Sequence, residues 1–540
     1  MNQATAIVDA AIAVEGVEFF STPDHEPYAL IPLGDHRECW PLGSAAFRRW
    51  VERRYYQDAH KVANRQSIRE ALDLLEGMAS FDGVQQQVHV RLAEANGEIW
   101  VDLADDYWQA VRVTSAGWDV VHNPPVRFRR ANGMLPLPCP ERGGNIDALR
   151  EFVNVTDDDW TLFLAWVIGA LRPRGPYPIL ILHGEQGSAK STVSRIARAL
   201  VDPNVAPARR APKNAEDVIV AARNGQVVAY DNVSFLNQDL SDDLARLATG
   251  AGFGTRQLYT NLDEVIVQVA RPIVLNSITE VATRGDLVDR GIVLSLPKIP
   301  TYQAEEIFWR KFDAAHPAIF GALLDALVLG LRNLPSTMAP NTRMADFARW
   351  VTAAEPGMGG AAGTFAQRYR RNKSSAVDVV LEESLIAAPV IELAASGFAG
   401  TASELRARLE ELVPDEVRKR REWPARPNRL SGELRRIAPA LRQKGIEVNW
   451  PNRTTTRRMI EIHMLGDGHD GHDGGSPGLS DGAPESHDAL PTGRDEMSDE
   501  EVVRQFAHWY PGKHDPEPTI AQMRQLVVDC IATEKAMGGR

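Results

Sequence analysis

The sequence predicts an α/β protein, and three stretches of its 540 residues predict it. An apolar run at 179–182 enters a glycine turn that ends in Lys190 and Ser191. A second apolar run, "QVVAYDN", ends in an acid, Asp231. A basic stretch at 402–463 reads as helix, helix and hairpin. The expected organisation is an N-terminal mixed α/β domain (1–145), a phosphate-loop core (146–300), a helical lid (301–400), a winged helix (401–465), and an acidic linker with a short helical tail (466–540).

The core element is "ILILHGEQGSAKST" at 179–192. A short apolar run bounded by glycine fits a parallel strand covered on both faces. Residues 192–200 have helical periodicity. A turn between strand and helix aims backbone N–H groups and the positive end of a helix dipole at one point, which suits a phosphate chain. Gly184 and Gly187 let the chain curl, and Glu185, Gln186, Ser188, Ala189 and Thr192 complete the expected ATP cradle. Lys190 is placed to reach the β- and γ-phosphates, and the Ser191 hydroxyl to ligate Mg²⁺. The pattern G-x-x-x-x-G-K-[ST] is met except that Ala189 stands where a second glycine is usual, a methyl group that the loop is expected to tolerate.

Strand ends at the carboxyl edge of a parallel sheet gather ligands. Asp231 is therefore the expected second Mg²⁺ ligand beside Ser191. Asn232 follows it where many ATPases carry Glu, and an amide cannot accept a proton. A third run, "RPIVLNS", ends in Asn276, expected between the first two strands and within reach of the γ-phosphate or the attacking water. In "TRGDLVDRGIVLSLP" two arginines precede a fourth buried strand. Arg290, then Arg284, is the candidate to reach a neighbouring subunit's γ-phosphate and stabilise transition-state charge. Between the second and third runs, "TRQLYTNLDEVIVQVA" reads as a hairpin around Asn-Leu-Asp. It either points toward a pore or extends a sheet. In the helical 301–400 region, Arg343 is expected to contact phosphate from the same subunit.

Residues 15–145 offer no catalytic constellation, and Asp105 and Asp106 read as turn residues. The net charge of −12 is unevenly placed. Residues 402–463 carry 15 Lys/Arg against 9 Asp/Glu, whereas 465–540 carry 6 against 15. The basic stretch puts Arg435, Arg436, Arg442 and Lys444 on a second helix and Arg453, Arg457 and Arg458 in a wing. These are candidate contacts to DNA phosphates, a salt-sensitive and sequence-independent term. The alternative is protein docking of the same module. The histidines of "GDGHDGHDGG" sit in low-complexity linker and suggest no metal site. Three separated cysteines without C-x-x-C argue for a reducing compartment. The start of the chain shows no export signal. The apolar helix candidate at 160–171 is about 12 residues, too short for a bilayer. A soluble, cytoplasmic protein with no membrane contact is expected.

Together "HGEQGSAKST", "YDN", "RPIVLNS", "RGDLVDRGIVLSLP", "RMADFARW" and "RLSGELRRIAPALRQKGIEV" resemble the AAA+ ATPases near the superfamily 3 helicases, closest to the phage-type primase-helicase ATPases of mobile elements. The resemblance covers about residues 90–465. It implies a homo-oligomeric ring, a hexamer, with ATP at subunit interfaces and DNA in or near the pore. Lys190, Ser191 and Asp231 match the Walker positions, Asn276 matches sensor 1, and Arg290 the finger. The general base is unassigned, with Glu185 and Glu280 as candidates. No primase polymerase motif is present. The expected function is an ATP-dependent DNA helicase or replication-initiation ATPase of a mobile element. The rivals are an ATP-switched DNA-binding or assembly factor that does not translocate, and a small-molecule kinase.

Overall fold

The computed structural model divides into two units, Met1–Gly466 and Asp467–Arg540. It describes residues 2–465 apart from 234–235, 257–263, 268, 277–286, 288, 383, 421 and 452–458. The linker and tail expected at 466–540 lie outside the described residues.

Helices α1 (Gln3–Ile12), α2 (Ala45–Ala59) and α3 (Arg65–Phe81) pack beside an antiparallel sheet of β1 (Glu18–Ser21), β2 (Pro27–Leu33) and β3 (His36–Pro41). Asn2, Ser44 and Asn64 cap the three helices, each side chain accepting an N–H that has no partner within its helix. Ile68, Ala71, Leu75 and Ala79 put one face of α3 into this small core. A short parallel pair, β4 (Val88–His89) with β9 (Arg127–Phe128), brackets a meander of β5 (Leu92–Ala95), β6 (Glu98–Asp102), β7 (Ala110–Val113) and β8 (Trp118–Val121). Asn96 and Gly97, both at positive φ, turn β5 into β6, the backbone a two-residue hairpin requires.

Residues 92–118, grouped by sequence with the N-terminal domain, share one apolar core with the centre of the chain. That centre holds α4 (Asp157–Ala170), β10 (Ile179–His183), α5 (Lys190–Ala199), α6 (Ala215–Arg223), β11 (Val228–Tyr230), α7 (Gln238–Thr249), a hairpin of β12 (Phe253–Arg256) and β13 (Glu264–Val267), then β14 (Ile273–Asn276) and β15 (Gly291–Ser295). Four strands form a parallel sheet in the order β11-β14-β10-β15. Their side chains are buried almost throughout, which explains the unbroken apolar runs. The hairpin's Asn-Leu-Asp turn lies outside the described residues.

Residues 301–400 are largely helical: α8 (Glu305–Asn333), α9 (Ala345–Ala354), α10 (Thr364–Glu382) and α11 (Ala387–Ser396). The segment expected as a lid begins with a helix packed into the core. Phe312, Ile319, Phe320, Leu323, Leu324 and Leu327 of α8 are buried against the centre of the chain, each contributing roughly 1.5–3 kcal/mol. The stretch Glu305–Ser336 is long and apolar enough to cross a bilayer, unlike the 160–171 segment singled out from sequence, but 61% of its apolar window is buried inside the fold. Gly321 permits the close approach of the loop that carries Glu141, since a Cβ there would lie 1.8 Å from the Glu141 carbonyl oxygen.

The C-terminal module contains β16 (Phe398–Thr401), α12 (Ala402–Leu412), the short α13 (Asp415–Arg418), α14 (Pro427–Gln443), β17 (Ile446–Asn449) and β18 (Met459–Met464). Its sheet order is β16-β18-β17, all antiparallel. Thr401 and Glu404 close a reciprocal capping box at α12. The third strand, β16, was absent from the sequence reading because four residues ending on a helix cap give little alternation.

A buried ionic knot ties the meander to the parallel sheet. Arg91 is 0% exposed and donates from Nε to Asp202 Oδ1 at 3.1 Å, and to the Asp102 and Leu135 carbonyls at 2.9 and 2.7 Å. The other Asp202 oxygen accepts the N–H groups of Gln226 and Val227 at 2.9 and 3.2 Å, just ahead of β11. Removing one partner of such a pair leaves a buried charge uncompensated. Arg91→Met is expected to cost about 3–5 kcal/mol in urea unfolding, whereas Arg112→Met, whose pair with Asp119 is exposed, should cost under about 1 kcal/mol.

Candidate functional site

The turn between β10 and α5 is shaped by two left-handed residues. Gly187 has φ +84°, and a Cβ there would lie 2.7 Å from Tyr302 Oη. Ala189 has φ 64° and ψ 24° as the residue before α5, with no side-chain cap. This is the physical reason for glycine at that position: an L-residue in this region costs about 1–2 kcal/mol. The cost of this alanine lies in its left-handed backbone and not in the added methyl alone.

Lys190 opens α5, and its Nζ donates to the carbonyls of Gly184 at 2.6 Å and Glu185 at 2.8 Å. Burial lowers its pKa, and Asp231 opposes the fall. Ser188 Oγ also donates to Glu185 O at 2.9 Å, and Ser188 is buried. Glu185 and Gln186 are exposed at the tip, while Gly184 and Thr192 are half-buried.

Three side chains from separate parts of the chain meet beside this turn. The Ser191 hydroxyl donates to Asp231 Oδ1 at 3.3 Å, and Asn276 Nδ2 donates to Ser191 Oγ at 3.1 Å and to Asp231 Oδ1. Strand register makes the meeting. Leu182 pairs with Asn276 and Tyr230 with Leu275, so β14, between β10 and β11, ends level with both. Asn276 is only 3% exposed, whereas Ser191 is open to solvent. Asn232, next to Asp231, has φ 53°, a left-handed conformation that asparagine tolerates better than glutamate. Its backbone N–H donates to Asp231 Oδ1 at 2.9 Å and fixes that carboxylate.

Arg290 is not part of this cluster. Its carbonyl accepts the Ile179 N–H at 3.0 Å, at the opposite, amino-terminal edge of the sheet, a five-residue strand or roughly 15 Å away. Arg343 pairs with Asp289 beside it. The expectation that Arg343 meets phosphate at its own loop therefore does not fit its position, because α9 begins next to the start of β15 and not its end. Arg284 and Glu280 lie outside the described residues.

Sequence reasoning missed what braces the loop. Asn154 Nδ2 donates to the carbonyls of Ser188 at 3.0 Å and Pro297 at 2.6 Å, tying the turn to the chain after β15. Ile299 N–H donates to Gly187 O at 3.3 Å. A lone asparagine in "FVNVT" carries no motif that would reveal this.

In the C-terminal module the expected cations divide. Arg435 and Arg442 are exposed on α14, Arg435 over the Trp450 ring at 5.2 Å. Arg436 is bound to Glu433 at 2.6 and 3.1 Å, and Lys444 is paired with Asp378 of α10. These two are committed within the chain, a pairing that helix spacing and distant packing decide. Arg426 and Arg429, at the start of α14, are exposed cations the sequence reading passed over. Arg453, Arg457 and Arg458 lie outside the described residues.

Fold and site define a mixed α/β protein whose glycine turn sits at the carboxyl edge of a parallel sheet, followed by a basic C-terminal module. A family model described as the actinomycete integrative conjugative element replication protein matches residues 146–370, and one described as the AICE RepA C-terminal domain matches 386–472. Together these cover more than half of the chain, which belongs to this RepA family of mobile-element replication proteins. No curated protein matches it. Among solved structures it is similar to the A-form apo C-terminal region of NrS-1, at 10% identity and a TM-score of 0.36, covering 85% of this chain and 99% of that one. A second apo structure of the same region matches at 10% identity and a TM-score of 0.35, covering 86% and 100%.

Ala189→Gly is expected to leave stability unchanged or raise it by up to about 1 kcal/mol, and Ala189→Val to lower it by about 1–2 kcal/mol, measured by thermal unfolding.

Proposed function

We propose that this replication protein binds and hydrolyses ATP at the glycine turn and uses it to act on DNA as a helicase or initiation ATPase, in the cytoplasm. The observation that carries the reading is the convergence of Ser191, Asp231 and Asn276 beside Lys190 at the carboxyl edge of the parallel sheet. In this reading the core is of the AAA+ phosphate-loop type and the C-terminal module is a winged helix, its three-stranded sheet backing α14.

The donor set fits Mg²⁺. A hydroxyl and a carboxylate 3.3 Å apart are hard oxygen donors, and Mg²⁺ takes few protein ligands, keeping water and phosphate oxygens. Mg²⁺ would supply charge neutralisation at the phosphate oxygens. Lys190 would exchange its two carbonyl partners for phosphate oxygens, and the turn's N–H groups would hold the chain of phosphates. Asn276 would release part of its bonding to Asp231 to orient the γ-phosphate or the attacking water. Arg290, at the far edge of the sheet, would act only on a neighbouring subunit's nucleotide, within a ring.

A second reading is an ATP-switched assembly factor that does not translocate. Asn232 favours it, since its left-handed backbone and amide side chain leave no carboxylate directly after Asp231 to take a proton.

Lys190→Ala is expected to lose ATP hydrolysis at least 100-fold, and Arg290→Ala to lose it only in assembled protein. Mixing the two should restore part of the activity; no recovery would count against a shared interface. Displacement of a tailed duplex supports the helicase, and ATP-dependent DNA binding without displacement supports the switch. Arg435→Ala and Arg442→Ala should each lower the salt slope of DNA binding by about 1, and Arg436→Ala by less.

A further inference from the structure

A cavity of about 450 Å³ opens far from the glycine turn, between α10, the last turns of α14, residues 341–343 and Asp289. Four cationic side chains line it: Arg343 is paired with the lining carboxylate Asp289, Lys444 with Asp378, Lys373 is half-buried, and Arg370 is exposed. Lys373 Nζ donates to the carbonyls of Asp289 at 2.6 Å and Gly291 at 2.8 Å. Burial pushes this ammonium down to about 7, with Asp289 opposing and Arg343 and Arg290 adding to the fall.

Two hydroxyls of the lining residues have no hydrogen-bond partner among the described residues. Tyr369 is 2% exposed and its Oη is unsatisfied, as is Thr342 Oγ1. Burial raises the Tyr369 pKa, so the phenol stays a protonated donor at any working pH. Buried hydroxyls are seldom left unpaired, and unsatisfied donors beside an arginine in a hollow of ligand size are the makings of an anion site.

We propose that this cavity is a second phosphate-binding site, separate from the glycine turn, with Tyr369, Thr342 and Arg370 as its donors. The ligand is a phosphate group carried either by a free nucleotide or by the backbone of DNA lying along α14. The inference does not rest on ATP binding at Lys190.

The test uses the full chain with Lys190→Ala and inorganic tripolyphosphate as the probe, followed by calorimetry. One site per chain is expected, weakened at least 10-fold by Arg370→Gln together with Tyr369→Phe. The conservative Tyr369→Phe alone should weaken it about 3-fold while leaving thermal unfolding unchanged. Competition by ADP assigns the site to nucleotide, and competition by a short duplex assigns it to DNA backbone. An absence of binding, or binding unmoved by the double variant, overturns the proposal. Failure of ATP binding in the parent protein would count against the glycine turn alone.

Discussion

The pairing of β14 between β10 and β11 is the constraint on which the site depends. Ser191 stands at the start of the helix that follows one strand, Asp231 just past the end of another, and Asn276 at the end of the strand between them. Side chains alternate faces along a strand, so a slip of one residue would turn Asn276 away from both partners. Near-continuous burial of the four strands opposes such a slip, because nearly every position of β14 is apolar and enclosed.

The same sheet is held from behind. Asp202 binds Arg91 of the meander with one oxygen and the N–H groups ahead of β11 with the other. The helix that carries Lys190 ends beside this aspartate, where Arg198 Nε donates to its carbonyl at 3.2 Å. One buried carboxylate thus joins the amino-terminal meander, the end of α5 and the start of the strand that delivers Asp231. The meander is part of the architecture of the site, though it supplies no side chain to it.

Charge is organised by partners more than by composition. The basic C-terminal module spends Arg436 and Lys444 on intramolecular pairs, while Arg435, Arg442, Arg426 and Arg429 face solvent. Lys444 reaches Asp378 on α10, and α10 in turn carries Lys373, whose ammonium spans the carbonyls on either side of Arg290. The C-terminal module and the amino-terminal edge of the parallel sheet are therefore joined through one helix.

The sequence by itself determined the four strands of the parallel sheet, the glycine turn, the acid after β11 and the helix–helix–hairpin order of the C-terminal module. Each is a local pattern: apolar runs, glycine placement and helical spacing act over a few residues. Only the tertiary structure decided that Asn276 touches Ser191 and Asp231, that Arg343 lies with Asp289, that Asn154 braces the loop, and that α8 is a core helix. Those outcomes depend on strand order and packing between segments 34 to 143 residues apart. The backbone state of Ala189 and Asn232 belongs to the same class, since φ at a turn is set by what the turn must join and not by the residue alone.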